Sequence, residues 1–321
     1  MAISYSAGKP SSLISNKKHY GDSIYSVLIF AASLSILLLI GTMAFKLALE
    51  SQLSLKTLGF SFVTGTVWDE VEEKFGIWPF IFGTLYSSFI ALVIAVPISL
   101  GAAIFLAELA PKWLRTPVTF LIELLAAIPS VVYGLWGIFF LMPFLRDHLM
   151  QPLAEKNIPL FSGAGFGPSM LTGGVILAIA ILPFITAVAR DILSAIPKAQ
   201  REAAYGLGAT RWEVIQKVVL PYSRSGITGA VMLGLGRAFG ETMAVAMVIG
   251  NQTPNTPSGT SFKLFDPGYT MSSALANKFT EAQPGLNTSA LIEIGLVLFV
   301  IAMLLNSGAR LLVMYTGRNL K

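Results

Sequence analysis

The chain has 321 residues, of which 54% are hydrophobic and only 12% charged, with a mean hydropathy of +0.71. Soluble domains carry about 25% charged residues, so this composition excludes a soluble globular protein and requires an integral membrane one. The net charge of +5 does not indicate nucleic acid, because the basic residues recur between apolar runs instead of forming one patch. The chain has no cysteine, which removes disulfides and thiolate chemistry, and His19 and His148 are too few and too far apart to bind a metal.

Six stretches are long and apolar enough to span a bilayer: Ile24–Leu49, Phe80–Ala107, Val118–Leu141, Met170–Ala189, Gly226–Gly250 and Ala290–Val313. The first follows Lys9, Lys17 and Lys18, as a signal peptide would. It is too long for such a segment and has no small-residue cleavage site, so a retained span is expected. Alternate connections carry fourteen and six Lys or Arg, which predicts cytoplasmic N- and C-termini. Pro97, Pro129 and Pro183 interrupt predicted spans and should kink them. The long connection Asn251–Leu286 is rich in turn-forming residues, with one short helix expected near Ser272–Glu281.

Between the fourth and fifth spans lies the most basic predicted inner connection, Arg190–Arg224. Pro197 suits a helix start, and Gly206 and Gly208 suit a stop. A short surface helix, a glycine break and a second short helix before Pro221 are expected, lying along the membrane. No phosphate-binding loop of the G-x-x-x-x-G-K-[ST] type occurs, so a nucleotide bound that way would belong to another chain.

The fifth stretch, GITGAVMLGLGRAFGETMAVAMVIG, holds Arg237 and Glu241 near its middle. A central arginine costs roughly 2.5–3.5 kcal/mol on insertion scales and therefore suggests a function. In a continuous helix the two side chains would share one face, one turn apart. A fixed cation beside a carboxylate suggests an anion route, with Thr242 and Ser130 as further hydroxyl donors. Glu241 would hold Arg237 in the empty site, and could also accept a hydrogen bond from a protonated anion and so reject one that carries no proton. A packing ion pair is the alternative. Gly236 and Gly240 have the spacing for close helix contact. Glu123 is expected to pair with Arg115 or Arg190, and Glu293 to face water.

Glu202-Ala203-Ala204-x-x-x-Gly208, nine residues, then Val218-x-Leu220-Pro221 resembles the EAA loop of inner-membrane permease subunits of ABC importers. Val218 stands where isoleucine is usual. The stretches Ile122–Gly137, Gly234–Asn251 and Ser273–Asn277 are similar to the C-type permease subunits of phosphate-specific (Pst) importers. This resemblance implies an all-α fold of six transmembrane helices, the type I permease bundle of ABC importers with a cytoplasmic coupling helix. It implies a permease domain over residues 76–315, flanked by residues 1–75 and a tail at 316–321. Arg237 and Glu241 are then linked to phosphate translocation, while Glu202, Ala203, Ala204, Gly208, Ala209 and Arg211 meet the ATPase, with Arg201 and Arg211 as rim charges. The implied partners are a homologous second permease subunit, two cytoplasmic ATPase subunits, an extracytoplasmic phosphate-binding protein and membrane lipid, in a bacterial inner membrane. No cofactor, nucleic acid or chemistry on this chain is expected. A permease for sulfate, molybdate or tungstate would share these features. An anion channel is the reading from another class, and the EAA loop argues against it.

Overall fold

The computed structural model describes residues 20–154, 156, 158–163, 165–253 and 260–318. Lys9, Lys17, Lys18, His19 and Lys321 lie outside them, as does part of the long connection, residues 254–259. Among the described residues four helices are long and apolar enough to cross a membrane, and a fifth if one bent pair counts as a single span.

The chain divides into two units, residues 1–46 and residues 47–321. The first contains most of α1 (Tyr20–Glu50), whose apolar side chains are exposed along its length, as suits a helix facing lipid. The second unit holds the rest. Its framework is α2 (Trp78–Leu109) against α5 (Met170–Ser194), both predicted spans. Small residues allow the close approach: Ala91, Ala95 and Ala178 are fully or nearly fully buried, and a side chain on Gly174 would overlap Ile90. Pro97 and Pro183 sit inside these two helices without ending them.

The third predicted span differs from expectation. The chain forms α3 (Lys112–Ala126) and α4 (Ser130–Ala154), bent by 91° at Ala127–Pro129. The cause is local: Pro129 offers no N–H and drives the residue before it away from helical angles. Tyr133 fixes the bend by donating its hydroxyl to Leu125 O at 2.7 Å. As α4 runs on to Ala154, His148 lies within helical structure and not in a loop.

The basic connection forms α6 (Lys198–Gly206), which stops where Gly208 takes φ +82°. A second helix begins at Arg211, capped by Thr210. It runs through a π turn at Ile215–Val219 directly into α7 (Leu220–Gly240). The expected boundary at Pro221 is therefore absent: a π turn shifts the bonding register just where proline lacks a donor. α7 ends at Gly240, ten residues before the predicted limit, and is followed by the short α8 (Met243–Ala246). The short α9 (Met271–Lys278) and the long α10 (Leu286–Arg318) complete the unit.

The far end of the bundle is closed by a two-stranded hairpin, Trp68–Asp69 with Lys74–Phe75, and by α9. Met271 N donates to Thr84 Oγ1 of α2 at 2.9 Å, and Phe80 packs edge-on against Tyr269. Glu293, expected in water, is only 2% exposed. The short helices between α1 and the hairpin cover it, and it borders an apolar groove with Leu55, Phe60 and Val297.

Candidate functional site

Arg237 lies in the last turn of α7, half-buried. Its guanidinium carbon stands 3.9 Å from the centroid of the Phe184 ring on α5, a cation–π contact suited to a delocalised charge. Its Nε is buried without a hydrogen-bond partner. Phe184, Leu233, Gly236, Arg237 and Asn306 line an open cavity of ≈ 460 Å³. Gly236 faces α10, where a Cβ would stand 3.7 Å from Asn306 Oδ1, whereas a Cβ on Gly240 would meet nothing.

Glu241 is not one helical turn above Arg237. It has φ −70° and ψ 122°, so the helix ends before it, and among the described residues the two make no ion pair. Two contacts explain the break. Ser272 Oγ of α9 donates to Glu241 O at 3.0 Å, taking up a carbonyl that a continuous helix would use. Ala244 N donates to Glu241 Oε1 at 3.4 Å, so the carboxylate, 8% exposed, caps α8 at its electropositive end. Thr242 Oγ1 donates to Gly240 O at 3.2 Å within the same break.

Ser130 opens α4 just after the bend and is half-buried. The first turns of α4 pack against α8, where a side chain on Gly134 would overlap Met247. The two breaks, at Pro129 and at Glu241, are thus neighbours in space. Ser130 and Thr242 belong to this packed junction, while Arg237 faces the cavity.

At the basic end, Glu202, Ala203 and Gly208 are exposed, whereas Ala204 and Ala209 pack half-buried against a core containing Ile196, Val214 and Val219. Leu207 is 90% exposed, and Tyr205 and Trp212 stand out beside it. Arg201 is turned inward, away from the expected rim, whereas Arg211 stays exposed. Arg201 Nη2 reaches Glu108 Oε1 at 2.7 Å and Leu193 O at 2.8 Å, and its Nη1 donates to Ile196 O. Arg211 Nη2 donates to Glu108 O, also at 2.7 Å. Both arginines therefore fasten the connection to the end of α2. Thr210 and Glu213 form a reciprocal cap, and those bonds, led by the one from Thr210 N, hold the Glu213 carboxyl down at about 2. Arg190 lies 3.6 Å from Glu123, the expected structural contact.

Two residues of these clusters escaped the sequence reading, although each left a signal. Glu108 is an acidic residue at the end of an apolar run, and Asn306 is an amide inside the last span. Among the described residues no group of acidic or histidine side chains could hold a metal ion.

The family described as "binding-protein-dependent transport system inner membrane component" matches residues 95–316. The phosphate transport system permease protein PstC of Pasteurella multocida is 50% identical over 285 residues, 87% of each chain. That of Mesorhizobium japonicum is 48% identical over 300 residues, covering 91% of this chain and 90% of the relative. A bacterial alginate ABC transporter chain, solved with its periplasmic protein bound to an alginate pentasaccharide, superposes with a TM-score of 0.58 at 18% identity. It covers 91% of this chain and 96% of that one. A chain of the inward-facing MetNI methionine ABC transporter gives 0.53 at 20% identity, covering 75% and 94%. The multi-pass all-α fold, the break-flanked arginine and these matches agree: the chain belongs to the family of binding-protein-dependent transport system inner membrane components.

Proposed function

We propose that this permease subunit forms half of the path of an ATP-driven importer for inorganic phosphate. One observation carries the reading: Arg237 stands at the end of α7, over an aromatic ring and beside an open cavity, and among the described residues it forms no ion pair with a carboxylate. A planar guanidinium offers paired donors to a tetrahedral oxyanion and keeps its charge in surroundings of low dielectric. The relatives named for phosphate transport support this substrate over other oxyanions. Glu241, Thr242 and Ser130 belong to the path as residues of the adjoining breaks. In this reading Glu241 sets the break and orients the end of α7.

ATP hydrolysis belongs to two partner ATPase subunits. They meet α6 and its glycine turn, at Glu202, Ala203, Ala204, Gly208 and Ala209, with Leu207 and Tyr205 presented beside them. Arg211, exposed and bonded to the Glu108 carbonyl, serves the same coupling. A homologous second permease completes the path as a heterodimer, and an extracytoplasmic binding protein delivers phosphate to the far side. The permease domain covers about residues 76–315, both termini are cytoplasmic, and the membrane is the bacterial inner one. The subunit itself makes and breaks no covalent bond.

Uptake of labelled phosphate in cells lacking other phosphate importers tests the reading, with assembly of Arg237→Gln verified separately. Uptake should be abolished, and retained uptake overturns it. Competition by sulfate, molybdate and tungstate separates other oxyanions. A phosphate-loop mutation in the partner ATPase should stop uptake, as it would not in a channel.

A further inference from the structure

Asn306 lies in the middle of α10, and it lines the same ≈ 460 Å³ cavity as Arg237. Its Nδ2 donates to Ala302 O at 2.9 Å, one turn back in its own helix. The amide therefore does not join two helices, which is the usual structural use of asparagine in a membrane. With one of its two N–H groups engaged, the amide turns Oδ1 toward α7: a Cβ built on Gly236 would stand 3.7 Å from it. The cavity thus places a charged planar donor, Arg237, near a neutral oxygen acceptor, Asn306, while Glu241 caps α8 behind the helix break.

We propose that Asn306 is a specificity-determining residue of the anion path: Oδ1 accepts a hydrogen bond from an oxyanion that still carries a proton, while Arg237 takes its charged oxygens. The inference rests on the reading that phosphate passes Arg237. Phosphate near neutral pH carries one or two protons and can donate. Sulfate carries none, so its oxygens would face the amide oxygen lone pair to lone pair, with neither group satisfied. A site built to hydrogen-bond a substrate hydroxyl rejects the analogue lacking it strongly, because a polar group is then left unpaired. A carboxylate at this position would also accept. It would, however, repel the anion and pair with Arg237, so a neutral amide answers both requirements.

The test uses the complete membrane complex, purified through a tag on this chain and without added binding protein. Direct binding of labelled phosphate and labelled sulfate is measured for the unaltered protein and for Asn306→Leu, Asn306→Asp and Arg237→Gln. The unaltered complex should prefer phosphate at least about tenfold. Asn306→Leu should bring the two anions within about twofold, Asn306→Asp should weaken both, and Arg237→Gln should bind neither. Unchanged preference in Asn306→Leu, or no preference in the unaltered complex, overturns the role of Asn306. Unimpaired phosphate binding by Arg237→Gln instead overturns the underlying assignment of the path. Copurification of the subunits distinguishes a lost site from a lost complex.

Discussion

Glu108 and Arg201, 93 residues apart in sequence, meet in a forked ion pair with Arg201 Nη2 at 2.7 Å from Glu108 Oε1. Their side chains are only 10% and 16% exposed. Arg201 also satisfies Leu193 O and Ile196 O at the end of α5, so one guanidinium joins α2, α5 and α6. Arg211 adds a bond to the Glu108 carbonyl.

Removing one partner of this pair should be worse than removing both. Glu108→Ala leaves a shielded guanidinium without its counter-charge and should destabilise the subunit by about 3 kcal/mol. The double variant Glu108→Met/Arg201→Met should lose less. Thermal unfolding of the purified complex checks the order, and equal losses would contradict a coupled pair.

Leu207 closes α6 through its backbone, but at 90% exposure its side chain packs into no core. Leu207→Asp should leave unfolding within about 0.5 kcal/mol, as for other surface changes. It should also weaken ATPase attachment at least about tenfold, as loss of a buried interface anchor does. Copurification with the ATPase provides the measurement.

Arg237→Lys keeps the charge but loses the fork and the flat face over Phe184. Phosphate uptake should fall at least about tenfold with assembly intact. Uptake equal to that of the unaltered protein would mean that charge alone suffices.

The cap at Thr210 and Glu213 makes local stability depend on acid. The folded carboxyl is held at about 2, below its ordinary value of 4.5. Its contribution is therefore complete above about 4.5, declines as pH falls, and is gone below about 2. Amide exchange at the start of the helix from Arg211 should accelerate through that window, and Glu213→Gln should abolish the dependence.

Hydropathy made the principal helices legible, because a crossing helix must be apolar over its whole length. It could not reveal where a helix stops inside an apolar run. The end of α7 depends on Ser272, 31 residues away, bonding to the carbonyl of Glu241. The residues on either side are mostly apolar, so the predicted pairing of Arg237 with Glu241 rested on a helix that tertiary contact interrupts. Pro129 was visible as a kink but not as a bend of 91°. The EAA loop was legible in position and in its glycine stop at Gly208. The inward direction of Arg201 and the bond from Arg211 were not, because Glu108 lies in another part of the chain. Glu293 was misplaced for the same reason: short helices between α1 and the hairpin fold over it.

The uninterrupted path from Arg211 through the π turn to Gly240 has a mechanical consequence. In the proposed importer, a push delivered at the basic end would reach Arg237 through continuous helix. Beyond that point the backbone changes direction, and Ser272 and Thr84 tie the next segments to the opposite roof of the bundle. The guanidinium thus stands where a continuous helix ends and a segment anchored elsewhere begins.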